Sequence, residues 1–328
     1  MTQSARKKYR QSKKTVFLTR LFPLAVLLCL LLLLLWQSSM VGDRLRQTLS
    51  LCGRALVPSL FPFLILSELM LSLGLSEDAG RFVPAPVRRF LGLSEGGSAA
   101  LLLGMLCGFP IGARILKRLY EEGLIPSEEA QYALPLCSIP SPAFLVGSVG
   151  MGLFDSAKAG FLLYGSVILA SLVASFLLRL GRSNPPTQTV SAPSPPPRPC
   201  SALLFTEAVM ASMEGMIRVC AFVLTFSCVG ALLDCMLAWL PIRFPSVFSS
   251  LLYGTLEMTG GIFSLSALPS SQALPAVALL SGWSGLSVHA QLFSLCGHLF
   301  SFRTYWQTKL LCAVLCPLLV LLGLFLFS

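Results

Sequence analysis

The sequence predicts an all-α, polytopic membrane protein that contains two inverted repeats with discontinuous or re-entrant helices. Of its 328 residues, 55% are hydrophobic and only 12% are charged, whereas charged residues make up about a quarter of a typical soluble domain. Several apolar runs are long enough to cross a bilayer as helices. Other apolar runs are interrupted by proline or glycine, in the same order in the two halves of the chain.

The N-terminus is strongly basic and precedes a long apolar run. Residues 1–15 are predicted to form a basic cytoplasmic tail, because basic residues before a first span indicate the cytoplasmic side. Residues 16–40 include LLCLLLLLLW and are predicted to be a transmembrane anchor. A secretory signal is the alternative, but Trp36 ends the run and no small-residue cleavage site follows it. The net charge of +10 therefore indicates membrane orientation and no nucleic-acid partner.

The first repeat is predicted over residues 45–180. Its entry span carries Glu68, which is predicted to lie either in a protein interior or at a helix end near the membrane surface. The next apolar segment contains GMLCGFPIGAR and has basic residues on both flanks, so it is predicted to enter and leave on one side as a re-entrant hairpin. The residues that break or follow this segment are Gly108, Pro110, Gly112 and Arg114.

A second interruption in the first repeat lies in SIPSP. Ser138, Ser141 and Pro142 belong to this motif, and Pro140 adds a further helix breaker. We expect a discontinuous helix that resumes in FLVGSVGMGLF, followed by an uninterrupted span over 160–180.

A proline-rich segment separates the two halves. Residues 181–200 are predicted to be a linker, since their composition favours extended polyproline conformations. The second repeat is predicted over 203–328. It has a long apolar entry, a glycine-broken segment that carries Glu257, the stretch ALLSGWSGLSVHAQ, and a final span that follows Lys309.

The stretch ALLSGWSGLSVHAQ is the candidate binding site, because a bilayer offers no water to its polar groups. Such groups persist at membrane depth where protein or an aqueous cavity satisfies them. The predicted substrate-binding residues are Ser138, Ser141, Glu257, Ser284, Ser287, His289 and Gln291. The predicted gating or structural residues are Glu68, Gly108, Pro110, Gly112, Arg114 and Pro142.

Two of these assignments have alternatives. Arg114 is also a candidate partner for an anion. His289 and Gln291 are alternatively predicted to bond to a neighbouring helix and only to hold the fold. Glu257 is expected to face a cavity or a partner, since an unpaired charge at the bilayer centre is costly.

The predicted topology of the two halves is opposite. Counted from a cytoplasmic N-terminus, the first half starts from outside to inside and the second from inside to outside. Secondary transporters of this inverted kind form their sites at the midplane, where broken helices meet.

The motifs GFPIGA, EEGLIPSEEA, SIPSPAF, LEMTGG and GLSVHAQ resemble those of the sporulation integral membrane proteins of the YlbJ type, within the nucleoside-recognition or gate-domain superfamily. The resemblance covers the chain from residue 45 to the C-terminus. It implies two gate-type repeats, a role in endospore development, and movement of a small molecule, dipicolinic acid, into the developing spore. Similar repeats occur in concentrative nucleoside transporters and ferrous-iron transporters, so the superfamily does not fix the substrate.

The sequence therefore predicts a transporter of a small anionic metabolite that works by alternating access. The alternatives are a nucleoside-type carrier and a structural or assembly protein of the forespore envelope. No enzyme is expected, because no nucleophile, base and acid recur at recognisable spacing. No cofactor or metal is expected either, since the eleven cysteines form no CxxC pair and suit buried apolar positions.

The expected surroundings follow from the same prediction. The chain is expected in the cell membrane or outer forespore membrane of a spore-forming bacterium. Its expected partners are the lipid bilayer, a dipicolinate-like or nucleoside-like small molecule, and either sporulation membrane proteins or a second copy of the chain.

Overall fold

All described secondary structure of the protein is helical. The structure, a computed structural model, describes residues 3–180, 201–239, 241 and 245–327. The predicted linker, 181–200, lies outside these ranges. In chain order the helices are α1 (Gln3–Trp36), α2 (Ser38–Ser72), α3 (Ser76–Arg81), α4 (Ala85–Leu91), α5 (Glu95–Cys107), α6 (Ile111–Glu121), α7 (Ser127–Cys137), α8 (Ala143–Phe154), α9 (Ala157–Leu180), α10 (Ala202–Ala238), α11 (Ser246–Leu256), α12 (Met258–Ser264), α13 (Ser270–Trp283), α14 (Gly285–Cys296) and α15 (Arg303–Phe327).

The membrane-crossing capacity of these helices agrees with the predicted fold class. Within the described ranges, five helical segments are long and apolar enough to cross a bilayer, namely α2, α9, α10, α13 with α14, and α15. A sixth crossing is counted if α4 and α5, which meet at a bend of 94°, form one span. The chain is thus an all-helical, multi-pass membrane protein, as predicted. Helix α1 contains residues 3–36 of the predicted tail and anchor, and residues 38–40 of the predicted anchor belong to α2.

Helices α5 and α6 fold back on each other as a hairpin. Gly96, near the start of α5, lies against Leu119, near the end of α6. The turn contains Gly108, whose φ of +79° is accessible mainly to glycine, and a cis Phe109–Pro110 peptide bond. The backbone N–H of Phe109 donates to the carbonyl of Ile139 at 3.0 Å, so the hairpin tip contacts the break that follows α7.

The break after α7 is packed closely against the hairpin. A Cβ added at Gly104 or Gly112 would lie closer than 3.0 Å to the backbone of Cys137, the last residue of α7. The chain is then non-helical until Pro142, after which α8 begins with π-helical geometry. The glycines and prolines of the two motifs therefore serve one purpose, which is to bring two interruptions of the backbone together.

The second half repeats this order of elements. Helices α11 and α12 meet at Glu257 and fold back on each other, so that Gly261 lies against Gly254. Helices α13 and α14 meet at Ser284 and Gly285, both with positive φ. A Cβ at Gly285 would lie 2.9 Å from the backbone nitrogen of Met258, so these two breaks are also in contact.

The long entry helices α2 and α10 run antiparallel. At one end Arg44 pairs with Asp234 at 2.6 Å, and the hydroxyls of Thr48 and Ser227 lie 2.8 Å apart. A single contiguous cluster of buried apolar side chains extends through both halves, from α2 to α15. The breaks lie inside this packed region, since Ser138 and Ser284 are fully buried.

Candidate functional site

Lys309 links the broken helices of the two halves. Its ammonium donates to the backbone carbonyl of Ser138, at the end of α7, and to the hydroxyl of Ser284 at 3.1 Å, at the start of α14. The lysine side chain lies on α15 and is 1% exposed. A helix end leaves carbonyl groups without intrahelical partners, so the C-terminal end of α7 suits a cation.

The stretch between α13 and α14 is shaped by two consecutive residues in the left-handed region. Ser284 has a φ of +78° and Gly285 of +77°. The hydroxyl of Ser284 donates to the carbonyl of Ser281 at 3.3 Å and therefore does not cap α14. Counted from Ser284, Ser287 and Gln291 follow three and seven positions later, so the three lie on one helical face.

Several buried polar atoms of the predicted site have no hydrogen-bond partner among the described residues. An unsatisfied buried polar group costs about 1–3 kcal/mol, so such atoms concentrated at two helix breaks indicate a site for a polar ligand or water. The atoms are Ser138 Oγ, Ser281 Oγ, Ser287 Oγ, His289 Nε2, Gln291 Nε2 and Gln291 Oε1.

His289 lies in a cluster of aromatic rings. Its Nδ1 shares a 2.7 Å hydrogen bond with the hydroxyl of Tyr305, and either atom donates according to the tautomer. The rings of Trp283 and Trp306 are each centred 4.6 Å from the imidazole. The Lys309 ammonium lies 5.8 Å from the centre of the Tyr305 ring, so this cluster adjoins the lysine. One nitrogen of His289 therefore bonds to α15, while the other has no hydrogen-bond partner among the described residues.

The remaining residues of SIPSP have structural contacts. Ser141 Oγ accepts from the backbone N–H of Phe144 at 3.2 Å, which caps the start of α8. Ser141 also contacts Gly108, where a Cβ would lie 2.6 Å from the Ser141 nitrogen. Pro110 and Pro142 immediately precede α6 and α8.

The carboxylate of Glu257 binds backbone N–H groups at the helix break where Glu257 itself lies. Its carboxylate oxygens accept from the N–H groups of Thr259 at 2.9 Å and Gly260 at 2.5 Å, at the start of α12. A carboxylate at a helix N-terminus is stabilised by the free N–H groups and by the helix dipole. Glu257 is 1% exposed, so the structure places the predicted substrate residue in a capping position.

Arg114 is paired with Glu68. The guanidinium of Arg114 on α6 binds the carboxylate of Glu68 on α2, and it also lies against Gly215 of α10. Glu68 is buried against neighbouring helices and lies about one turn before the end of α2 at Ser72. The pair joins three helices, so Arg114 already has an anionic partner within the chain.

The structure thus brings Ser138, Ser284 and their neighbours together across the two halves. Lys309, Tyr305, Trp306 and Trp283 were not among the site residues predicted from the sequence. The available signal was a lysine and two aromatic residues, Tyr305 and Trp306, in RTYWQTKLL, just before the last apolar run, whereas Trp283 lies within the stretch ALLSGWSGLSVHAQ. Within the described ranges, no three His, Cys, Asp or Glu side chains lie close enough to hold a metal ion.

Comparisons with known proteins agree with the motifs. No protein-family model matches the chain, and no solved structure matches it. The chain is similar to the sporulation integral membrane protein YlbJ of Bacillus subtilis (strain 168), with 27% identity over 307 residues. The alignment covers 84% of this chain and 75% of that protein. The similarity supports the family predicted from the motifs, and the apolar helices make the chain a multi-pass membrane protein.

Proposed function

We propose that the chain is a membrane carrier of a small anionic metabolite during endospore formation, with dipicolinic acid as its substrate. One observation carries the proposal, namely the set of buried polar atoms at the two helix breaks that have no hydrogen-bond partner within the described part of the chain. A purely structural core would satisfy these atoms, because leaving them unpaired is costly. The similarity to a sporulation integral membrane protein supports the biological setting.

The architecture supports alternating access between two inverted gate-type repeats, 45–180 and 203–328. Each half has a long helix, a helical hairpin, a broken helix and a second long helix, in that order. If the two halves have opposite orientations in the membrane, their entry helices must run antiparallel, and α2 and α10 do so. In carriers of this kind, substrate binds where broken helices of the two repeats meet, and here Lys309 joins Ser138 to Ser284 at such a place.

The proposed roles follow from these contacts. Ser138, Ser287 and Gln291 bind polar atoms of the substrate, and His289 does so through Nε2. The substrate moves without covalent change, so the protein is not an enzyme in this proposal. The N-terminus is cytoplasmic, in agreement with the basic residues that precede the first apolar run, and the carrier resides in the cell membrane or outer forespore membrane.

The test is flux of labelled dipicolinate into proteoliposomes, with labelled uridine as a parallel substrate. We expect saturable dipicolinate flux that Ser287→Ala lowers strongly. Ser294→Ala is the matched control, because Ser294 lies on the same helix but is exposed, and it should leave the flux unchanged.

Other outcomes would overturn the proposal. Preferential flux of uridine would assign a nucleoside-type carrier. No flux of either compound from folded protein, together with loss of protein abundance in both serine variants, would favour a structural or assembly role in the forespore envelope.

A further inference from the structure

Lys309 is a buried cation with no acidic partner among the residues that the structure describes. The ion pairs found within the described ranges do not include it. Its partners are a carbonyl, a hydroxyl and the Tyr305 ring, all of them neutral. A charged group inside a membrane protein is expensive and commonly belongs to a functional pathway. The burial of this lysine therefore needs an explanation beyond the packing of α15.

The lysine also has capacity for a further hydrogen bond. An ammonium group has three N–H donors, and the contacts with Ser138 and Ser284 use two of them. An anion placed beside these residues would accept the third and would neutralise the charge. Charge-assisted bonds of this kind are stronger than bonds between neutral groups.

A helix N-terminus lies next to the lysine. Helix α14 starts at Gly285, immediately after Ser284, and no side chain caps it. The N-terminus of α12 differs, because the carboxylate of Glu257 already binds its N–H groups. The start of α12 thus holds a carboxylate of the protein, whereas the nearby start of α14, beside a cation, has none among the described residues.

A second, independent observation supports a ligand at this position. The buried hydroxyls of Ser138 and Ser287 and the side-chain amide of Gln291 have no hydrogen-bond partner among the described residues. Ser138 contacts Lys309 through its carbonyl, while Ser287 and Gln291 continue the helical face that begins at Ser284. These groups can donate to or accept from a bound molecule.

We propose that Lys309 and the N-terminus of α14 bind a carboxylate group of the transported molecule, so that Lys309 selects anions over neutral molecules of the same shape. The inference rests on the proposed carrier function and names the residue that sets its substrate class. Because Lys309 also bonds to the breaks of both halves, binding of the carboxylate changes the interaction that holds those breaks together.

The experiment compares two probes of similar shape, dipicolinate and its uncharged diamide, pyridine-2,6-dicarboxamide. Binding to the purified full-length protein in detergent is measured by calorimetry. We expect the wild-type protein to prefer dipicolinate, and Lys309→Gln to bind dipicolinate about 10- to 100-fold more weakly while binding of the diamide changes little. Lys309→Arg keeps the positive charge and should retain most of the preference.

Controls separate loss of charge from loss of folding. Lys158→Gln removes an exposed lysine and should change neither affinity. Lys309→Gln keeps an N–H donor for the Ser138 carbonyl and removes a buried charge that has no ion-pair partner among the described residues; since burying an unpaired charge is costly, its melting temperature should not fall. If that variant does not fold, Lys309→Met, which has a similar volume, gives the same comparison.

The outcomes distinguish this inference from the carrier function. An unchanged preference in Lys309→Gln would overturn the inference, as would a folded wild-type protein that binds neither probe. Flux of dipicolinate with unaltered selectivity in Lys309→Gln would leave the carrier function standing without this site. Binding through Lys309 without flux in proteoliposomes would overturn the carrier function and leave the binding site standing.

Discussion

Lys309 donates a hydrogen bond to the backbone carbonyl of Ser138, 171 residues earlier in the chain. The same ammonium binds Ser284, so one side chain touches the broken helix of each half. Each break provides backbone groups that a continuous helix would use internally. The interruptions predicted from glycine and proline therefore create the polar surroundings of the lysine.

The first prediction concerns the close contact of α6 with the end of α7. Gly112→Ala places a methyl group against the backbone of Cys137, and overpacking of this kind costs about 1–3 kcal/mol. Gly165→Ala is the matched control, since nothing lies within 4 Å of its Cβ and alanine stabilises a helix interior by about 0.5–1 kcal/mol. Thermal unfolding in detergent should show opposite shifts, and equal shifts would contradict the packing described here.

The second prediction distinguishes the effect of the backbone conformation of Ser284 from the effect of its hydroxyl group. Both Ser284→Gly and Ser284→Ala remove the contact with Lys309. Only glycine relieves the left-handed conformation, which costs other residues about 1–2 kcal/mol. The glycine variant should therefore melt at the higher temperature, while both variants should lose dipicolinate flux. Full flux in the glycine variant would show that the hydroxyl has no part in transport.

The third prediction tests the capping role of Glu257. Glu257→Gln loses the charge and one acceptor oxygen at the start of α12, so we expect a loss of about 1 kcal/mol in stability. The concentration of dipicolinate that gives half-maximal flux should stay the same, because both carboxylate oxygens are already bonded. Glu207→Gln, at an exposed position on α10, is the control for stability. A change in that concentration without a loss of stability would show that Glu257 binds the substrate.

The fourth prediction addresses the ion pair of Glu68 and Arg114. Their side chains are 12% and 21% exposed, so Glu68→Gln or Arg114→Gln alone leaves a poorly solvated charge unpaired. In a double-mutant cycle on unfolding, we expect a coupling energy of about 1–3 kcal/mol. The exposed pair of Glu214 and Arg218 is the reference and should give at most about 0.5 kcal/mol. Equal coupling in the two cycles would show that the contact with Glu68 does not stabilise the fold.

Much of the fold was predictable because helix formation and helix breaking are local. The apolar runs, GFPIGA, SIPSP and SGWSGLS specify where helices form and where they stop, and the structure has breaks at Gly108, Ser138 and Ser284. Buried serines at these places were also expected, since each lies within an apolar segment. The inverted relation of the halves stays a prediction that the proposed function uses.

The roles of charged residues depended on contacts between distant segments. Sequence alone left open whether Glu68 lies inside the protein or at the membrane surface, and only the packing of α6 against α2 supplies Arg114 as its partner. Glu257 was predicted to bind substrate and to face a cavity or a partner, and the turn of the backbone at its own position directs the carboxylate to the start of α12. That direction depends on backbone angles that the composition of the segment does not specify.

The sequence by itself determined that this protein is helical, crosses a membrane several times and has interrupted helices with buried polar residues. Tertiary structure alone decided that Lys309 belongs with them. A lysine at the edge of an apolar run ordinarily extends its flexible side chain toward the membrane surface. Here α7 and α14 surround it and supply a carbonyl and a hydroxyl, and an ammonium takes a buried position where such groups replace water.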